Sequence, residues 1–247
     1  MANYATYPEV YRRPTATFVD VIGNGKAALL TLAASAISML VLIFAYTEEV
    51  NPFATPASLY VYAGAKAATL FTGAVFALAF AGAAVATGLG RIGVRLRGAP
   101  ATLLSAWITS VVLVALFPTD PGAAVTSTSG WIHRVAAVGV LGILPIAGLY
   151  VAARMRTSSA RAATAVRVLS VAGCVLMIGC LASRLPDMAP SWSVAQFLQQ
   201  YPIDGLLQRM LFGVEIAILA VPAAMIARTD APMPQPARSA DLQAVRA

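Results

Sequence analysis

Six long apolar stretches, separated by short polar segments, make up most of this chain. The hydrocarbon core of a bilayer, about 30 Å thick, is crossed by roughly 20 apolar residues in a helix. The stretches lack the period-two alternation of membrane barrel strands. The third is the shortest, so we expect its helix to begin earlier or to lie slightly tilted. The pattern predicts six membrane-spanning helices, at Ala27–Thr47, Ala67–Leu89, Ala101–Phe117, Trp131–Ala153, Ala165–Ser183 and Leu206–Ala227.

The composition supports the same fold class. Hydrophobic residues make up 59% of the chain and charged residues only 11%, whereas a soluble domain is about one-quarter charged. We therefore expect an all-α fold, a polytopic membrane helical bundle in contact with the lipid bilayer. The net charge of +7 does not indicate nucleic-acid binding, because the basic residues border the apolar stretches and do not form runs interleaved with exposed aromatic residues.

The distribution of basic residues predicts the orientation in the membrane. Thirteen of the 17 Lys and Arg residues lie before the first stretch, in the second and fourth gaps, or after the last stretch. Short segments with an excess of Lys and Arg stay in the cytoplasm. Both termini are therefore predicted to be cytoplasmic, which agrees with an even number of spans. The abundance of alanine and arginine suggests a bacterial protein, so we expect the plasma (inner) membrane.

Three regions are predicted along the chain. Residues 1–25 carry aromatic and basic side chains and are expected to lie along the cytoplasmic interface. Residues 26–228 form the six-helix domain, whose first stretch is too long for the core of a cleaved signal peptide. Residues 229–247 are rich in proline and poor in apolar residues, so this tail is predicted to be disordered.

The third external loop, residues 185–205, is expected to contain a regular element. Ser193 and Gln196 fit a capping box, and the apolar residues from Val194 to Tyr201 follow at helical spacing. We predict a short amphipathic helix across the external side, acting as a lid, as an interfacial anchor, or as both.

Four basic residues depart from the arginine distribution and are predicted at external helix ends, namely Lys66, Arg134, Arg184 and Arg209. A charge near the bilayer is costly unless it is paired or wetted, and several acids are predicted on the same side. We therefore expect a ring of ion pairs that closes the external end of the bundle. Two interpretations stay open. The pairs hold the helices together, or the three arginines bind an anionic lipid headgroup or a small anion.

Glu215 is predicted near the middle of the membrane, about nine residues into the sixth helix. An acid at that depth faces the bundle interior or a wet cavity, or is protonated. Gln208 lies two turns earlier on the same face, so the two residues are expected to line one groove leading from the external side. The alternative is a buried acid that is hydrogen-bonded to a Ser or Thr hydroxyl on a neighbouring helix, for example Thr109 or Ser110.

Asp120 and His133 are the acid–base pair that the sequence suggests, because a short loop joins the third and fourth helices. One of residues 127–129 is expected to cap the fourth helix. A single histidine cannot build a multi-histidine metal site, and Cys174 and Cys180 point to different sides of their helix. No metal and no cofactor is therefore predicted, and whether the chain is an enzyme stays open.

Two short motifs resemble those of a known family. The first is Phe117-Pro118-Thr119-Asp120, with His133 one turn into the fourth helix, and the second is Gly205-Leu206-Leu207-Gln208-Arg209. In combination they resemble the bacterial and archaeal membrane proteins called domain of unknown function 998. The resemblance covers about residues 25–228 and implies a six-helix membrane protein. It adds weight to Phe117, Pro118, Asp120, His133, Gly205 and Arg209.

This chain departs from the family pattern at two places. The resemblance implies an acid where Gln208 stands and a tryptophan further along the last helix, which is missing here. No reaction follows from the resemblance. We expect an integral membrane protein that binds or moves a small molecule or lipid headgroup at an external polar cluster. One alternative is a membrane-embedded enzyme acting on a lipid or isoprenoid through Asp120 and His133. The other is a structural or partner subunit, although no protein partner is identified.

Overall fold

A computed structural model describes residues 23–122, 124–188 and 191–230. These residues are helical apart from turns and loops, and six helices are long and apolar enough to cross a membrane. The predicted all-α, six-span fold is thereby confirmed. Each helix end lies within five residues of the predicted end, and the third helix begins earlier, as expected. The six are α1 (Gly25–Ala45), α2 (Ala65–Arg91), α3 (Ala99–Leu116), α4 (Thr128–Met155), α5 (Ala160–Ala182) and α6 (Asp204–Thr229).

The six helices form a ring of antiparallel neighbours. Each helix packs against the next one along the chain, and α6 packs back against α1. Because α6 also contacts α2 and α4, it lies toward the middle of the bundle. Loops 46–64, 117–127 and 183–203 meet at one end, which we call the loop end. The α2–α3 and α4–α5 connections meet at the other, the arginine-rich end.

Local sequence explains where α3 ends and α4 begins. Pro118 has no N–H to continue the helical ladder, and α3 ends at Leu116, one residue before the predicted end at Phe117. The Ser127 side chain accepts a hydrogen bond of 2.9 Å from the Gly130 N–H. That bond satisfies one of the free donors at a helix start and confirms the cap predicted among residues 127–129.

Trp107 of α3 is fully buried and joins three helices. Its indole N–H donates to the Val140 carbonyl of α4 at 3.2 Å. On the other side, a Cβ atom on Gly82 of α2 would come within 2.7 Å of the indole ring. A Cβ atom on Gly139 would similarly lie 2.3 Å from the Ser110 hydroxyl. Small residues therefore allow α2, α3 and α4 to approach closely, as is common between membrane helices.

Three short elements lie in the described loops. A 3₁₀ helix, Ala57–Tyr62, occupies the α1–α2 loop, and a helical turn, Leu185–Met188, follows α5. The third is the helix Ser193–Gln199, which confirms the helix predicted for this loop. The capping-box prediction was wrong, because Trp192 is the N-cap and its side chain makes no capping bond.

The helix Ser193–Gln199 buries little of its apolar surface. Ala195 is buried, whereas Val194, Phe197 and Tyr201 are each more than half exposed. Trp192 is exposed as well. Aromatic side chains of this kind are favoured at a membrane–water interface, so the exposed surface fits the anchor interpretation of this loop.

Asp230 connects three helices at the arginine-rich end. Its carboxylate accepts a hydrogen bond from the Gly25 N–H at 3.1 Å and forms an ion pair with Arg91. Arg91 also donates to the Gly23 carbonyl at 2.9 Å. Residues 1–22 and 231–247, which hold most of the predicted interfacial segment and of the predicted disordered tail, lie outside the described residues. The cytoplasmic location of the two termini stays a prediction.

Candidate functional site

The start of α6 is bound to the α1–α2 loop through its backbone and through Gln208. The Leu206 N–H donates to the Phe53 carbonyl at 2.9 Å, which is possible because the first N–H groups of a helix have no acceptor within the helix. The Gln208 side-chain oxygen accepts a hydrogen bond of 2.8 Å from the Ala57 N–H. An acidic side chain, which the family resemblance implies at this position, could accept the same hydrogen bond. Glutamine in its place therefore preserves the contact.

Arg209 binds the same loop through backbone carbonyls. Its Nη1 atom donates to the carbonyls of Pro52 and Thr55, both at 2.8 Å, and to that of Gly205 at 2.9 Å. Its Nη2 atom donates to the Tyr60 hydroxyl at 3.1 Å. Arg209 was predicted to bind an ion-pair partner or a ligand. Both terminal nitrogens are instead engaged with protein oxygens, and Arg209 holds the α1–α2 loop against α6.

The Phe117–Asp120 segment is held by hydrogen bonds to its backbone carbonyls. His133 Nδ1 lies 2.7 Å from the Phe117 carbonyl oxygen, and because a carbonyl can only accept, Nδ1 carries the proton. The Ser129 hydroxyl donates to the Pro118 carbonyl at 2.8 Å. The Tyr62 hydroxyl, from the 3₁₀ helix, donates to the Thr119 carbonyl. The α3–α4 loop is thereby connected to both α4 and the α1–α2 loop.

Asp120 organises the start of α4. One carboxylate oxygen accepts from the N–H groups of Thr126 and Ser127, at 2.9 and 3.3 Å, and the other accepts from the Ser127 hydroxyl at 2.7 Å. These bonds, the one from the Ser127 hydroxyl above all, hold the pKa of Asp120 below its ordinary value. Gly130 leaves room for the carboxylate, since a Cβ atom there would lie 1.9 Å from it.

Both motifs therefore belong to one set of contacts, which we call the loop-end network. It consists of the hydrogen bonds made by Tyr62, Asp120, Ser127, Ser129, His133, Leu206, Gln208 and Arg209. Most of its acceptors and several of its donors are backbone groups. The network joins the α1–α2 and α3–α4 loops to α4 and α6.

The predicted ring of ion pairs was wrong for Arg209 and Asp120, because backbone and hydroxyl groups satisfy both. It was right for Arg184, whose side chain pairs with Asp204 at 2.6 Å. Ser183 donates to the same carboxylate at 2.9 Å. Arg134 is exposed on the first turns of α4.

The predicted acid–base pair is not formed in this structure. Asp120 and His133 both lie where α3 meets α4, but no hydrogen bond joins these two described side chains. Each is used by the loop-end network, Asp120 for the Ser127 cap and His133 for the Phe117 carbonyl. His133 is only 3% exposed, so this arrangement gives the enzyme alternative no support.

The predicted groove between Gln208 and Glu215 is also not present. Gln208 is bonded to the α1–α2 loop, and Glu215 is 0% exposed. The alternative partners were wrong too, because Ser110 donates to the Ala106 carbonyl at 2.9 Å and Thr109 is exposed. Among the described residues, neither carboxylate oxygen of Glu215 has a hydrogen-bond partner.

A surface groove that the sequence did not predict lies between α3 and α4 near the loop end. It has a volume of about 590 Å³ and is open at the side of the bundle. The hydroxyl side chains of Thr126, Ser127 and Thr128 lie at its loop end, and most of the other lining residues are apolar. Its residues are Ser110, Leu113, Val125, Thr126, Ser127, Thr128, Trp131, Ile132, Val135 and Ala136.

The loop-end network shapes the rim of this groove. Thr126 and Ser127, which line it, are the residues that bind the Asp120 carboxylate. Trp131 and Val135 are 62% and 55% exposed on the outer face of α4, the face that meets lipid in a membrane. The sequence signal for the groove is the run of hydroxyl residues 126–129, with Trp131 shortly after it. Capping of α4 uses only Ser127 of this run.

The part of the chain that the structure describes contains no cluster of metal-binding side chains. No three His, Cys, Asp or Glu side chains there are grouped so as to hold an ion. Cys174 and Cys180 are both free thiols.

The bonds to Asp120 predict a specific dependence of stability on pH. Because they lower its pKa, the ionised carboxylate stabilises the folded chain above the ordinary value of 3.8, and this contribution is lost as the pH falls below it. Thermal unfolding of wild type and Asp120→Asn should therefore differ most near neutral pH and converge in acid. Glu48→Gln, at an exposed acid of the α1–α2 loop, is the control. A difference that does not change with pH would contradict this role.

The comparisons with known proteins agree with the architecture. The model of the family described as protein of unknown function (DUF998) matches residues 29–225. No curated protein and no solved structure matches the chain. The matched segment includes all of α2 to α5 and both motifs of the loop-end network. The chain is an integral membrane protein that belongs to the DUF998 family.

Proposed function

We propose that this protein binds a membrane lipid in the groove between α3 and α4. The observation that carries the proposal is the groove itself, which combines an apolar wall with hydroxyl groups at one end and opens sideways toward lipid. Ligand sites are concave, mostly apolar and equipped with a few placed polar groups. Acyl chains would lie along Leu113, Ile132 and Val135, and the ester or headgroup oxygens would meet the hydroxyls of Thr126 and Thr128 at the loop end.

The charge of the groove selects the class of lipid. No Lys, Arg, Asp or Glu is among its described lining residues. The positive end of the α4 dipole, which would attract a phosphate, already faces the Asp120 carboxylate through Thr126 and Ser127. A headgroup with a net negative charge would be repelled there. The proposed ligand is therefore a neutral or zwitterionic glycerolipid, bound on the side of the membrane that holds the loop end.

Filling the groove tests the proposal. Val135→Trp places an indole in the groove from an exposed position, so the fold should tolerate it. Val175→Trp adds the same bulk on the exposed face of α5, where Val175 is 64% exposed, and is the matched control. Purified variants are compared by native mass spectrometry for retained lipid, with phosphatidylethanolamine and phosphatidylglycerol added separately.

We expect Val135→Trp to retain at least about tenfold less phosphatidylethanolamine than Val175→Trp, which corresponds to roughly 1.4 kcal/mol. Phosphatidylglycerol should bind more weakly than phosphatidylethanolamine to the wild type. Equal retention by the two variants would mean that the groove holds only ordinary boundary lipid, and the proposal would fail.

A further inference from the structure

Glu215 is a buried acid in the centre of the bundle, and no described side chain provides it with a compensating charge. It is the twelfth residue of α6, about 16 Å along the axis from Asp204 and about 21 Å from Thr229. It is 0% exposed, and both carboxylate oxygens lack a hydrogen-bond partner among the described residues. The Trp107 indole lies close enough to interact with the carboxyl group, but its N–H donates to the Val140 carbonyl.

Among the described side chains, no cation faces Glu215 from the helices packed around it. On α5, the ionisable side chain in its electrostatic range is Cys180. The described buried side chains of α1, α2, α3 and α4 include no Lys, Arg, Asp or Glu, and their one histidine, His133, is bound at the loop end. The nearest cation along α6, Arg209, is engaged with loop carbonyls. On α5, Arg184 pairs with Asp204 and Arg167 is exposed on the surface of the bundle.

An ionised Glu215 would be an unpaired charge in the membrane interior, which costs several kcal/mol. A protonated carboxyl group avoids that cost, but it still leaves a polar group without a partner, where leucine or methionine would pack without loss. Packing therefore does not explain an acid at this position. Ionisable residues at this depth mark proton and ion pathways.

A small cavity of about 30 Å³ lies near Glu215 along α6, lined by Phe212 and Ile216 of that helix. Glu215 is not among its described lining residues, which are apolar apart from Ser35 of α1. An apolar cavity stays dry, so it gives the acid no hydrogen-bonding water. Water therefore reaches Glu215 only when the helices around it separate.

We propose that Glu215 is a proton-binding site at the centre of the membrane domain. The carboxyl group holds a proton when the helices are packed as described, and it exchanges that proton with solvent through transient separation of α6 from its neighbours. This site is independent of the lipid groove, which lies on the outer face of α3 and α4 and contains no part of α6.

Infrared spectroscopy of the full chain in lipid nanodiscs at neutral pH tests both parts of the proposal. A protonated carboxyl group has a C=O stretching band that ionised acids lack, and the band shifts when its proton is replaced by deuterium. Wild type should show this band, and transfer to D₂O should shift it over minutes to hours. Glu215→Gln should lose the band completely. Glu215→Met is a second neutral variant, in case the unpaired amide of glutamine impairs folding.

Two results would overturn the proposal. Identical carboxyl bands in wild type and in both variants would show that Glu215 is ionised. A band that belongs to Glu215 but never shifts in D₂O would show that its proton does not exchange. Neither result bears on the lipid groove, since the retention of phosphatidylethanolamine by Val135→Trp and Val175→Trp is measured separately.

Discussion

Arg209→Ala is expected to lower the free energy of unfolding by about 3 kcal/mol, the largest effect of any single side-chain deletion at the loop end. The guanidinium group donates to the carbonyls of Pro52, Thr55 and Gly205 and to the Tyr60 hydroxyl. Its removal leaves these oxygens without their donor, and each unsatisfied group that stays buried costs about 1–3 kcal/mol. Part of this cost is recovered where water reaches the loop.

Thermal unfolding in nanodiscs and hydrogen exchange of the α1–α2 loop measure the effect together. Exchange should rise at the Thr55 and Ala57 amides, whereas the amides of the α3–α4 loop should change little. Arg161→Ala, at an exposed arginine on α5, is the control and should leave both measurements unchanged. If Arg209 acted only as a ligand-binding residue, Arg209→Ala would unfold like the wild type, and the structural role would be wrong.

Gly205→Ala is expected to destabilise the protein, whereas Gly213→Ala on the same helix is expected to stabilise it. A Cβ atom at position 205 would lie 2.5 Å from the Thr55 carbonyl oxygen and 2.8 Å from its nitrogen. Backbone atoms cannot rotate away as a side chain can, so the α1–α2 loop must shift and its bonds to α6 weaken. At position 213 a Cβ atom meets nothing within 4 Å.

Alanine is favoured over glycine within a helix by roughly 0.5–1 kcal/mol. The two substitutions should therefore change the unfolding temperature in opposite directions. Adding Arg209→Ala to Gly205→Ala should cost less than the sum of the two single effects, because both release the same loop. Equal stability of Gly205→Ala and Gly213→Ala would show that the α1–α2 loop does not pack against Gly205 as described.

The membrane helices could be predicted because length and apolar content decide them. The bilayer imposes a minimum length on each span, and Pro118 and the hydroxyl residues before Trp131 determine where α3 ends and α4 begins. The orientation of the bundle across the membrane was predicted from the distribution of arginines alone. It is a property of the protein in its membrane and does not follow from the helix packing.

The contacts of the two motifs could not be predicted, because their partners are backbone groups. Arg209 and His133 were expected to interact with acids or ligands, yet their acceptors are the carbonyls of Pro52, Thr55 and Phe117, which carry no mark in the sequence. The depth of Glu215 was predictable from its position in the last stretch. Its lack of a partner depends on what five other helices place around it, which only the assembled bundle shows.

The motif residues therefore have a structural role, whereas the groove is the proposed lipid-binding site. Asp120, His133, Gln208 and Arg209 fix the loops, and through Thr126 and Ser127 the loop-end network positions the hydroxyl rim of the groove. A conservative substitution that preserves one of these hydrogen bonds should therefore preserve lipid retention. His133→Asn, whose amide nitrogen can approach the Phe117 carbonyl in place of Nδ1, is an example.

Photo-cross-linking shows whether a lipid occupies the groove between α3 and α4. A zwitterionic lipid with a photoactivatable group on the acyl chain near the glycerol is incorporated into nanodiscs with the wild-type protein, and the labelled residues are mapped by mass spectrometry. Occupation of the groove predicts that labels concentrate at residues 110–113 and 125–136, that they exceed those on the exposed face of α5, and that Val135→Trp removes them. Labels spread evenly over all lipid-facing helices, and unchanged by Val135→Trp, would contradict it.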